Sequence, residues 1–95
     1  MTSSELNDKL KVRTEEGRVL QELWKTLFPD TVPHAGQFQV WLDLHPFERI
    51  VYAIKTTGAK NAKLAGTMTL EHAVRYCSKT ANIRRTKEEG PAVAA

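Results

Sequence analysis

Apolar residues in this chain recur every three or four positions in four separate stretches. Nowhere do they alternate over the roughly four to eight residues that a half-buried strand needs. A repeat near 3.6 commits each stretch to a helix that must bury one stripe against its neighbours. The expected fold is therefore all-α, a small bundle of about four helices with a long first one. With 95 residues the chain suits a single domain of thin stability margin, and it has little core to spare for a buried active site.

The first stretch, from about Ser4 to Phe28, is rich in helix formers behind a serine-rich start that can cap free amides. Leu6, Leu10, Leu20, Trp24 and Leu27 follow a heptad-like spacing, but the seam positions between them are Arg13 and Gly17, which interrupt it. Leu20, Leu23, Trp24 and Leu27 make a dense stripe that belongs in a core. Residues 1–18 then read as a mobile or partner-dependent arm. Leu6, Leu10, Leu20, Trp24 and Leu27 are the candidate surface for self-association or a protein partner.

Pro29-Asp30-Thr31-Val32-Pro33 stops that helix, because each proline lacks an amide donor and pushes the residue before it out of helical geometry. Gln37 to His45 reads as a short helix with Phe38, Trp41, Leu42 and His45 on one face. Pro46 suits a helix start, and Glu48 complements the dipole there. Phe47, Ile50, Val51 and Ile54 give the clearest stripe, with Arg49 and Lys55 outside it. This should be the central buried helix. Gly66 stands where a C-terminal cap glycine belongs, and the hydroxyls around Thr67 and Thr69 start a last helix from about Leu70 to Arg84. There Leu70, Ala73, Val74, Cys77 and Ala81 form the apolar face, while Arg75, Lys79 and Asn82 form a separate polar stripe. Residues 1–87 are expected to be one domain. Residues 88–95 are expected to be a disordered tail, since the Gly90-Pro91 end offers nothing to bury.

His34, His45 and His72 are far apart, and Cys77 has no second cysteine beside it, so no zinc spacing exists. Cys77 lies on the apolar stripe and reads as a packed small residue; no glycine-rich phosphate loop is present. The expectation is a chain without catalytic residues, metal or cofactor, that is, not an enzyme. A lone cysteine and the lack of a signal-like or membrane-spanning apolar run make the cytoplasm the expected compartment and exclude a membrane partner.

Charge is unevenly placed. Residues 1–33 carry five Lys/Arg and six Asp/Glu, whereas Arg49 to Lys87 carry nine Lys/Arg against Glu71 alone. Arg75 and Lys79 share a helix face, and Lys60 and Lys63 precede that helix, so the second half suits an anionic partner. Lys60, Lys63, Arg75, Lys79, Arg84 and Arg85 are the candidate phosphate contacts.

The order Trp24…Phe28-Pro29, Phe38…Trp41-Leu42 and Phe47-Glu48-Arg49-Ile50-Val51-Tyr52-Ala53-Ile54, then a Lys-rich turn and a closing helix with Tyr76, resembles the helical domain of DnaD-like replication proteins and phage replication organisers. It covers about residues 22–85. The Tyr-x-x-x-Ile-x-x-x-Trp that closes such domains stands here as Tyr76, Thr80 and Arg84. The resemblance implies an α-helical fold, DNA binding, helicase or initiator contacts during replication start, and Tyr76 as a site residue. The expected function is thus a nucleic-acid-binding accessory module, replication-related, with protein interaction through the first helix as the alternative.

Overall fold

The computed structural model describes residues 3–89, with side chains from Thr14 onward. Four helices follow one another: α1 (Ser3–Leu27), α2 (Ala35–Leu44), α3 (Phe47–Lys63) and α4 (Leu70–Glu89). No strand occurs among the described residues, and the fold is an all-α bundle as the periodicity requires.

Each helix boundary has a local cause. His34 caps α2, its Nδ1 accepting from the Gly36 amide at 3.1 Å, so α2 starts two residues earlier than the apolar pattern suggests. The α3 end closes one residue before the expected glycine. Ala65 and Gly66 both take positive φ, 56° and 74°, while the Ala65 amide donates to Ala62 and the Gly66 amide to Asn61. This pair of reversed bonds is a Schellman closure with alanine, not glycine, in the first left-handed position. Thr69 then caps α4 by accepting from the His72 amide at 3.1 Å.

The core forms where three helices meet aromatic rings. Trp24 is fully buried and stacks on Phe28 at 4.7 Å, with Phe38 at 6.3 Å and Trp41 at 5.9 Å from its ring. Its indole N–H donates to the Thr31 carbonyl at 2.7 Å, which pins the proline loop to the helix it follows. Ile50, Ala53 and Ile54 of α3 and Ala73, Cys77 and Ala81 of α4 complete the core. α3 is central, packing on α1, α2 and most extensively on α4. The pair α3 and α4 is antiparallel: Arg49 reaches Glu88 and Glu89 at one end, and the Met68 amide donates to Asn61 at the other.

Three sequence expectations change. Gly17 is no break in packing; it is buried, and a Cβ there would stand 2.5 Å from Gln39 Nε2 on α2. The stretch from Thr14 on lines a cleft with Ala35, Phe38 and Gln39 of α2, while the side chains of the rest of the expected arm lie outside the described residues. Gly58 likewise lets Leu27 close on α3, since a Cβ there would meet Leu27 Cδ1 at 2.8 Å. Thirdly, α4 continues to Glu89, so Glu88 and Glu89 do not belong to a disordered tail; the expectation for residues 90–95 lies outside the described residues.

Ile54 is fully buried and Lys55 is exposed, so Ile54→Ala should cost about 2–5 kcal/mol in chemical denaturation while Lys55→Ala stays near zero. Ala65→Gly should stabilise by about 0.5–1 kcal/mol, because alanine is strained in the left-handed region and glycine is not; a loss of stability would refute that reading of the turn.

Candidate functional site

Arg49 is the residue the stripe analysis misplaced. It faces α4 and is only 5% exposed. A buried guanidinium must have its donors met. Nε and Nη2 donate to Glu88 at 3.2 and 3.0 Å, Nη2 also to Glu89 at 3.2 Å, and Nη1 to His45 Nδ1 at 3.2 Å. Since a guanidinium only donates, His45 must accept through Nδ1 and is neutral here. Burial comes first in holding His45 below its ordinary pKa, followed by the charges of Arg49 and Arg85; Glu89 and a hydrogen bond that the ring donates to Asn82 oppose the shift.

Each glutamate bridges two cations. Glu88 Oε1 accepts from Arg84 Nε at 2.7 Å, and Glu89 Oε2 accepts from Arg85 Nε at 3.0 Å. Those bonds, with the ones from Arg49, depress both carboxyl pKa values. The network ties the last turn of α4 to the first turn of α3 and fixes the side chain of Arg84. Its guanidinium lies 4.7 Å from the centre of the Tyr52 ring, a cation–π contact.

Beside that contact, α3 and α4 leave a groove of about 190 Å³. Tyr52 and Thr56 line it from α3, and Tyr76, Thr80, Ile83, Arg84 and Lys87 from α4. No carboxylate is among these lining residues. Tyr52 and Ile83 are 43% and 48% exposed, while Tyr76 is half-buried against the core. The register explains the set: Tyr52 and Thr56 are one turn apart, as are Tyr76 and Thr80, so the two rows run along the α3–α4 seam.

The structure divides the basic residues of α3 and α4 into two kinds. Arg75 pairs with Glu71 at 2.5 Å, and Arg84 and Arg85 pair with Glu88 and Glu89. Lys60, Lys63, Lys79 and Lys87 have no carboxylate within ion-pair distance among the described residues. Of the named site residues only Tyr76 and Arg84 line the groove. Lys60 and Lys63 end α3, and Arg75, Lys79 and Arg85 lie outside the groove lining. The sequence reading missed Tyr52, Ile83 and Lys87. A signal existed, since Tyr52 stands two positions from Ile50 and Ile54 on the helix and so off the buried stripe.

The expected α1 interface is largely spent on the chain's own core. Leu20 and Trp24 are fully buried, and Leu27 is partly buried against the core and over Gly58. They cannot meet a partner without unfolding; the side chains of Leu6 and Leu10 lie outside the described residues. Cys77 is also buried, its thiol pushed up to about 12 by desolvation despite a hydrogen bond with Thr57. Among the described residues no group of three metal-binding side chains gathers, and no helix is long and apolar enough to cross a membrane.

No protein-family model, curated protein or solved structure matches this chain. The functional reading therefore rests on the groove and its charges.

Stability should rise with pH in two windows. With His45 depressed, the unfolded chain takes up a proton below about pH 6.5 that the folded chain refuses until lower pH; this contribution is complete above about 6.5 and lost as pH falls through the window. Glu88 and Glu89 are also depressed, so their contribution is present above about pH 4.3 and lost as pH falls through their folded values. Urea midpoints at about pH 7.5, 5.5 and 3.5 should fall stepwise, and Glu88→Gln with Glu89→Gln should shrink the lower step. A midpoint unchanged by that double substitution would contradict the network's role.

Proposed function

We propose that this chain is a non-enzymatic nucleic-acid-binding module that engages phosphates through the lysines of α3 and α4. One observation carries the reading: Arg49 to Glu89 holds nine Lys/Arg against three Glu, and those glutamates are taken up by arginines. The charge left without a counterion is on lysine. Such flexible cations suit phosphates as point charges, which position a nucleic acid without reading its sequence. The resemblance to helical domains of DnaD-like replication proteins agrees with this reading and suggests an accessory place in replication.

Protein contact is the second reading, and a different surface now favours it. Val40 and Leu44, one turn apart on α2, are 50% and 56% exposed, and Val19 of α1 is 53% exposed. These apolar positions, rather than Leu20 and Trp24, would carry a protein partner.

Binding to a short labelled oligonucleotide, followed by anisotropy across a salt series, decides between the two. A log-log slope of magnitude about 3–4 is expected if roughly four phosphates are neutralised. Lys79→Ala with Lys87→Ala should lower it by about 1–2, and Arg75→Ala by less, because Arg75 is already paired. Absence of salt-sensitive binding at low ionic strength would leave protein contact as the reading.

A further inference from the structure

Resting on the nucleic-acid reading above, we infer that the α3–α4 groove takes single-stranded nucleic acid, stacking a base on Tyr52 and Tyr76 beside a phosphate at Lys87. Phosphate attraction alone would need only lysines on a convex surface. This chain instead sets two tyrosines into a cleft between antiparallel helices, with Arg84 and Lys87 on the same lining and no carboxylate on it. A duplex presents sugar and phosphate outward and hides the flat faces of its bases, so the tyrosines would add nothing to its binding. A single strand offers both the π-face and the phosphate.

The geometry of Arg84 strengthens the argument. Glu88 Oε1 holds its Nε at 2.7 Å, and the guanidinium lies 4.7 Å from the centre of the Tyr52 ring. The cation thus lies over one face of the Tyr52 ring and is held there by Glu88, and guanidinium planes stack bases as aromatic rings do. Ile83, half exposed on the same lining, provides the apolar edge that a base covers more readily than phosphate does. Because every base has a π-face, such stacking is sequence-tolerant.

The test uses the full chain and three labelled probes of similar length: oligo(dT), a strand with the same phosphates but abasic sugars, and a duplex. At equal salt, oligo(dT) should bind at least about 5-fold more tightly than the abasic strand, the lower end of what one stacked base contributes. Tyr52→Ala should remove most of that preference and keep the salt slope, and Tyr52→Phe should restore it, since the ring and not the hydroxyl does the stacking. Tyr52 is exposed enough for the alanine variant to fold. Tyr76 packs on the core, so its variant is Tyr76→Leu, and the wild-type comparison of oligo(dT) with the abasic strand needs no variant at all. Equal affinity for those two strands, or a duplex bound as tightly as oligo(dT), overturns the stacking site while the nucleic-acid reading stands. No binding to any probe overturns both.

Discussion

The fold depends first on the indole of Trp24. Its ring touches Phe28 of the following loop and Phe38 and Trp41 of α2, and its N–H holds the Thr31 carbonyl. A bundle of this size has few large side chains to bury, so one ring serving α1, α2 and the intervening loop decides how those elements meet. Trp41 passes the constraint on, donating its indole N–H to Ser78 of α4 at 2.9 Å. Both tryptophans thus bury their ring and keep their polar atom satisfied, which is the condition for such residues in a core.

The other end of the bundle is closed by charge instead of rings. Arg49 is buried while its glutamate partners, Glu88 and Glu89, remain partly open to water. Such an arrangement adds little net stability, because desolvating a guanidinium offsets much of its attraction to a carboxylate. What it sets is register. A planar guanidinium with donors in several directions is met by His45, Glu88 and Glu89 together, and sliding α4 by a turn would strand it. The same glutamates orient Arg84 and Arg85, so the interaction that seats α4 also shapes one wall of the groove.

Arginine and lysine have consequently separated in role along α3 and α4. Rigid, multidentate arginines are taken up in internal pairs, whereas the more flexible lysines face solvent without a paired carboxylate among the described residues. A count of basic residues cannot see this division. Arg75, Arg84 and Arg85 contribute to formal charge, yet each has a glutamate one turn away. The groove depends on tertiary packing in the same way, since Tyr52 and Tyr76 are 24 positions apart and only the antiparallel seam brings them together.

The sequence by itself determined the helical class, the four segments, and most of the core. Leu20, Trp24, Phe38, Trp41, Ile50, Ile54, Ala73, Cys77 and Ala81 are all buried, because a 3.6-residue period leaves each stripe one face to hide. Periodicity says which face turns inward but not which helix lies opposite. Gly17 read as a break in the seam, yet Gln39 of α2 closes against it, and Gly58 lets Leu27 close on α3. Arg49 read as a solvent charge, and residues 88–89 as tail, for one shared reason: their partners are about 40 positions away. Only the tertiary structure decided those pairings, because a charge enters a core when several donors and acceptors converge on it, and convergence is a property of packed helices rather than of spacing along one of them.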